Sequence, residues 1–498
     1  MIFRSFARTL AITALVLAFP VEAQQEAETT AQLPCPACLT QAQARQDLAT
    51  LFETLQREHV DLFARTGRAA YEAHLAQLSG SIDGPISRPD FNLVLQDAMS
   101  FGRIGHAKTE AALTNVFAHV GQGGTIIPLS IAYRGEAMIT DNWVDRGDSL
   151  VPGSRILQLG GMGIAEFEAR ARRLVAADTD RLLRAQLETA LPAYLFLVFG
   201  PRDSLDVEFV TPAGERMTRT VAAMGLGEMY ALQDERALPG SGRNPQARIS
   251  RDLGNGVFYL QPGPFFATDR ERGDSGEAYA IGPYKAFVDE AFAALAASGA
   301  QDLVIDLRGN PGGDASFSDL VVARLVDRPY RFASRYEIRA GENTKRLWAE
   351  RETGGEETLA GLIAASIARA KAGERVDVIL PQTPPIAQDA FRGRVFALVD
   401  KHSYSNAAVV AALLQDLDIA TLMGEETADL ATTYGAVESF TLPHSGVSIT
   451  YPKAYMVRPS GSEEVRGVVP DFLIAPNPVG AARDVMLDTA VTQIVLSR

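Results

Sequence analysis

Cysteine is almost absent: the 498 residues hold two, Cys35 and Cys38, in the run Cys-Pro-Ala-Cys. There is no second pair to complete a four-cysteine zinc site, and no βαβ pattern surrounds this one to make it a redox motif. In an oxidising compartment a local Cys35–Cys38 disulfide is the simpler expectation, and a loop so short gains little stability from closure. Basic residues are outnumbered, 47 Lys and Arg against 61 Asp and Glu, for a formal net charge of −14. That balance disfavours nucleic acid or an anionic membrane as a partner. Beyond the N-terminal stretch no segment reaches about 18 uninterrupted apolar residues, so no stable membrane span is expected after processing. Histidine is scarce as well, at six: His59, His74, His106, His119, His402 and His444.

The first residues read as an address. Arg4 and Arg8 form a positive region, Thr9 to Phe19 an apolar stretch, and Val21-Glu22-Ala23 a small-residue cleavage site before Gln24. Residues 1–23 are therefore expected to be a secretory signal peptide, and the mature chain periplasmic or secreted. With 47% hydrophobic and 22% charged residues, the chain can bury ample core, and its length suggests about three domains.

Two strand-to-loop units carry the chemical signal. Leu303-Val-Ile-Asp-Leu-Arg-Gly-Asn-Pro-Gly-Gly313 is a buried-looking apolar strand running into a turn built on Gly309, Gly312 and Gly313. Such a turn lets backbone N–H groups approach a ligand closely. Val395-Phe-Ala-Leu-Val-Asp-Lys-His-Ser-Tyr-Ser405-Asn-Ala-Ala runs from a strand into a helix. Ser405 has two readings here. It can be a helix N-cap, or a nucleophile aimed at the free N–H groups and positive end of the helix. Two N–H groups beside a serine would make an oxyanion hole, and a serine needs a positioned base, for which histidine has the suitable pKa. The residues alone do not choose among the six histidines, and His402 is a rival because it stands three residues before Ser405.

In order and spacing, these two units, with Gly424-Glu-Glu-Thr427, resemble the tail-specific (C-terminal processing) and tricorn-like serine peptidases. The resemblance spans roughly the C-terminal half. The processing branch places a lysine base shortly after the Gly-x-x-Thr turn, but Ala428 to Gly435 contains none. The tricorn-like branch uses a histidine and a late glutamate, and the matching positions are His106, in Arg103-Ile-Gly-His106-Ala-Lys-Thr109, and Glu464, in Glu464-Val-Arg-Gly-Val-Val-Pro-Asp471. Ile104, Gly105 and the spacing to Thr109 depart from that branch and leave its fourth member without a counterpart. The resemblance implies catalytic Ser405, His106 and Glu464, an oxyanion hole from Gly312, Gly313 and Asn406, a protein or peptide substrate, and no metal or organic cofactor. Glu463 and Glu438 compete with Glu464.

The fold class expected is α/β: a crotonase/ClpP-like catalytic core with an N-terminal helical segment and a PDZ-like domain. Residues 24–120 read as the helical segment carrying His106. Residues 121–245 read as the PDZ-like domain with a helical insertion near Asp178 to Tyr194, and residues 246–498 as the peptidase domain. Leu238 to Pro245 reads as a linker. Arg339 to Gln388 is polar, with a helix near Thr358 to Ala370, and reads as an insertion over the site, a candidate lid. Two rivals remain: a ligand-binding protein on a peptidase-like core without hydrolysis, and a PDZ-led adaptor that tethers peptides.

Overall fold

A computed structural model describes residues 38–134, 136–139, 150–235, 244–273, 276–479 and 481–498. The expected signal peptide, Cys35 and most of the expected linker lie outside the described residues. Cys38 is disulfide-bonded, and the sequence has one other cysteine, Cys35, to partner it.

The described residues form a mixed α/β fold with three sheets. The central six-stranded sheet has the order Phe472–Leu473, Thr421–Gly424, Arg394–Val399, Asp302–Asp306, Val257–Gln261, Ile249–Asp252. All neighbours pair in parallel except the last two strands, which are antiparallel. Every residue of Val257–Gln261 and Asp302–Asp306 is buried, as expected of parallel strands covered on both faces. The glycine turn follows the C-terminal end of Asp302–Asp306, and the Ser405 loop follows that of its neighbour Arg394–Val399. Two adjacent parallel strands thus release their loops at the same sheet edge, where α/β folds place ligands.

The N-terminal helices Gln41–Glu58, Arg68–Ser81 and Arg88–Ser100 pack their apolar faces onto a four-stranded antiparallel sheet through Leu442, Ile449 and Tyr451. Thr40 caps the first with a capping box and Ser87 caps the third. Mutual backbone hydrogen bonds of 3.0 and 2.9 Å between Lys108 and Thr450 then tie the segment after His106 to that sheet.

The stretch read as a lid is part of this four-stranded sheet. Arg335–Ala340 pairs with Glu374–Asp377 on one side and Ser448–Val457 on the other, and Leu359–Arg369 is helical between them. From within that stretch Arg375 reaches out to pair with Glu337, which is 5% exposed and also held by Arg335.

The antiparallel sheet over residues 131–222 has its own core, into which Asp180–Phe199 packs. That helix is long and apolar enough to cross a membrane by composition. Leu183, Leu187 and Leu191, each wholly buried, place it in the protein core instead.

Candidate active site

Ser405 stands at the N-cap position of the helix Asn406–Asp416, yet its side chain makes no capping hydrogen bond. Its Oγ lies 3.1 Å from His106 Nε2. Between the two sequence readings, cap and nucleophile, this geometry favours the second. Ser405 also holds φ +54° and ψ −125°, outside the regions open to L-residues at low cost. Such a conformation costs about 1–3 kcal/mol and persists only where the surroundings enforce it. The enforcing contact is the Ser405 N–H, which donates to Asp429 Oδ2 at 2.5 Å. Ser403 donates through Oγ to the Leu307 carbonyl at 2.8 Å and so ties the Ser405 loop to the neighbouring strand end.

The other five histidines are committed elsewhere. His59 Nδ1 accepts the Asp61 N–H at 3.0 Å, His119 Nε2 meets the Thr125 carbonyl at 3.0 Å, and His444 Nε2 lies 2.9 Å from Gln46 Oε1. His74 Nε2 lies 3.3 Å from Asp97 Oδ1. His402, the rival, points its Nε2 at Glu188 Oε2, 2.9 Å away. Burial works against ionising Glu188, yet hydrogen bonds from His402 and Lys401 hold its pKa below the ordinary value.

His106 is 8% exposed and stacks on Tyr404, with ring centroids 5.0 Å apart and planes 15° from parallel. Burial pushes its pKa down to about 4; Lys108 acts in the same direction and Asp178 against it. The imidazole is therefore neutral, as a general base must be. His106 Nδ1 is buried without a hydrogen-bond partner among the described residues.

Glu464 is not brought to His106. It is exposed on the polar turn after Gly461, its backbone N–H 3.5 Å from Ser462 Oγ, and its carboxylate accepts no hydrogen bond among the described residues. Neither competitor replaces it. Glu463 accepts from Tyr455 Oη at 2.8 Å, and Glu438 is buried among Trp348, Arg351 and Lys453.

The glycine turn lies against the nucleophile. A Cβ built on Gly312, at φ +87°, would fall 2.6 Å from the Tyr404 carbonyl oxygen and 2.7 Å from the Asn406 nitrogen. One on Gly313 would fall 2.2 Å from the Phe265 carbonyl oxygen. Both positions require glycine for space as well as for φ. The Gly312 N–H is spent on Asn310 Oδ1 at 2.9 Å. The N–H groups of Gly313 and Asn406 donate to no acceptor among the described residues, which leaves them as the pair able to receive a developing oxyanion. Tyr404 N–H to the Asn310 carbonyl (2.9 Å) and Gly309 N–H to Asp400 Oδ1 (2.8 Å) lock the two loops together.

Sequence reasoning missed Tyr404, Asp178 and Asp429. Asp429 is wholly buried and accepts N–H groups from Ser405 and Leu430; burial nevertheless raises its pKa to about 6. Its one sequence cue is its place two residues after Thr427, in the segment where the processing branch carries its lysine. Asp178 carries no cue, since it reads as a polar residue before a helix.

A serine–histidine pair at 3.1 Å, beside two N–H groups without an acceptor among the described residues, is an arrangement of the kind serine hydrolases use. Residues 280–474, which include both glycine turn and Ser405, match the sequence model of peptidase family S41. Over that segment, less than half of its length, the chain is similar to serine-type peptidases of this family. No curated protein sequence matches it. Among solved structures it is similar to mature CPAF, at TM-score 0.62 and 16% identity over 92% of this chain and 98% of that one. It is likewise similar to mature CPAF complexed with lactacystin, at TM-score 0.60 and 16% identity over 92% and 99%. At such identities the likeness shows the fold. The photosystem II D1 C-terminal processing protease aligns over 87% of this chain and 93% of that one, at 14% identity and TM-score 0.42, too low to carry an argument.

Proposed function

We propose that the chain is an exported peptidase that cuts peptide bonds through an acyl-enzyme on Ser405. The observation that carries this reading is the 3.1 Å approach of His106 Nε2 to an Oγ that caps nothing. His106 takes the Ser405 proton as Oγ attacks the carbonyl carbon, and the oxyanion is received by the N–H groups of Asn406 and Gly313. The imidazolium then gives its proton to the leaving amine, and water, activated by the same nitrogen, releases the acid. Glu464 belongs to this reading as the carboxylate that would have to reach His106 Nδ1. The antiparallel sheet over residues 131–222 supports a PDZ-like unit that holds a peptide end, with the central parallel sheet as the crotonase/ClpP-like core.

Labelling by a fluorophosphonate probe at neutral pH tests the reading. Wild type should label on Ser405, Ser405→Ala should not label, and His106→Ala should lose on the order of a thousandfold in rate. A folded wild-type protein that never labels yet binds a ligand would favour the non-catalytic alternative. Export is tested separately, by mass spectrometry of the protein recovered outside the cytoplasm, which should start near Gln24. An intact Met1 end there would overturn the processing site.

A further inference from the structure

The buried carboxylate of Asp178 lies at the back of the His106 loop. Its Oδ2 accepts the Gly105 N–H at 2.7 Å, and its Oδ1 accepts Arg65 Nε at 3.0 Å. The side chain is 3% exposed. The approach is close: a Cβ built on Gly105 would fall 3.1 Å from Asp178 Oδ2 and 2.8 Å from Leu182 Cδ2. Glycine at 105 therefore lets the carboxylate and the helix Asp180–Phe199 press against the backbone immediately before the base. From the opposite side Tyr404 stacks on the His106 ring and aims its hydroxyl at the Gly105 carbonyl, 3.3 Å away. Gly105, the residue ahead of His106, is thus held at both its N–H and its carbonyl.

We infer that Asp178 is a positioning residue for the proposed peptidase reaction: its carboxylate fixes the loop that presents His106 and supplies the buried anion beside the imidazolium formed when His106 takes the Ser405 proton. The inference rests on the serine–histidine reading above and deepens it. A buried anion near a base that becomes cationic stabilises the charged state far more than a solvated one would. Among the described residues Glu464 makes no such contact and His106 Nδ1 has no partner, and Asp178 is an acid whose charge favours a protonated His106. The charged and titratable groups facing this centre are Lys108 on the histidine's own loop, Tyr404 from the nucleophile loop, Asp178 itself, Arg65 from the N-terminal helical segment, and Asp429 beneath Tyr404 and Ser405. Arg65 partly offsets the Asp178 charge, and Asp178 and Asp429 repel one another.

The test measures the fluorophosphonate labelling rate of full-length protein against pH, with thermal melts in parallel. Asp178→Asn keeps one acceptor for the Gly105 N–H but removes the charge. It should lower the plateau rate about tenfold and move the acid limb to lower pH, because the imidazolium loses its anion. Arg65→Ala leaves Asp178 in place and less offset, and should move the same limb to higher pH. Opposite displacements from two neighbouring substitutions are not produced by a purely structural role. Wild type that labels, with a folded Asp178→Asn of unchanged rate and limb, overturns the inference and leaves the serine–histidine reading standing. Should Asp178→Asn not fold, an unmoved limb in Arg65→Ala overturns it instead. Wild type that does not label removes the underlying reading.

Discussion

The Ser405 N–H and the Asp429 carboxylate meet at 2.5 Å, and this contact holds Ser405 in a left-handed backbone conformation that serine does not otherwise favour. Asp429 is wholly buried and, among the described residues, accepts from no cationic side chain, so two N–H donors, from Ser405 and Leu430, carry its solvation. Replacing it with alanine leaves both donors buried and unpaired and frees Ser405 to relax toward an ordinary φ. Asp429→Ala should lose at least about tenfold in fluorophosphonate labelling rate, a strained geometry being worth about 1–3 kcal/mol. Asp429→Asn, which keeps one acceptor, should fall between that variant and wild type. Equal labelling by all three would show that Ser405 is held by something other than Asp429.

Gly312 is defended by space on both sides. The methyl of Gly312→Ala would press on the Tyr404 carbonyl and the Asn406 nitrogen, the second of which is a proposed oxyanion donor. The turn and the helix start must part by a few tenths of an ångström or more. Losing alignment at one donor costs about a hundredfold to a thousandfold in turnover. Gly312→Ala should therefore lose about that much in peptide hydrolysis while still folding, and circular dichroism alongside the assay separates the two effects. Near-wild-type turnover would mean that Asn406 does not contribute to the hole.

What the sequence made legible and what it hid divide along a physical line. The approach of Ser405 to His106 and to the glycine turn is legible because the proposed roles demand particular residue types at particular points of strand, loop and helix. Asp178 and Asp429 are not, because a carboxylate becomes a structural anion only through burial and through partners far away in the chain: Arg65 stands 113 residues from Asp178. Glu464 shows the converse. Its motif spacing matched, yet the residue sits on an exposed polar turn. The strand Arg335–Ala340 was hidden for a related reason, since Arg335, Glu337 and Arg339 break the apolar run that marks a covered strand, and Glu337 is buried only because arginines pair with it.

Lys401 and Lys453, which flank the Ser405 and Gly424–Gly435 segments, are each committed to an ion pair and not free to serve as base. Lys401 Nζ is 2.5 Å from Glu188 Oε1, and Lys453 Nζ is 3.0 Å from Glu438 Oε1 and 2.9 Å from the Ala436 carbonyl oxygen. Both are parts of buried ion pairs, where removing one partner costs about 3–5 kcal/mol. Lys401→Met and Lys453→Met should accordingly lower the melting temperature yet label within about tenfold of wild type, whereas His106→Ala should melt normally and fail to label. A stable Lys→Met variant that cannot label would overturn the assignment of His106 as base.

Acid should destabilise the fold through histidines buried neutral. Burial, aided by Arg339, pushes the pKa of His59 down to about 3, and burial, aided by Lys108, pushes that of His106 down to about 4. In the unfolded chain both take up protons near 6.5. Between about pH 6.5 and 4 the unfolded state therefore binds up to two more protons at these sites, and stability falls as pH drops. Asp429 works the other way: its raised value of about 6 means the folded state gains a proton there before the unfolded state does near 3.9, which offsets about one of the two. The net slope from the three groups is about one proton, or about 1.4 kcal/mol per pH unit. His59→Asn preserves an acceptor for the Asp61 N–H that His59 Nδ1 receives and removes one titrating group. Urea unfolding at pH 4.5 to 7 should show a stability profile for this variant that is flatter by about that amount. A variant with the wild-type slope would mean that His59 already titrates near its ordinary value in the folded protein.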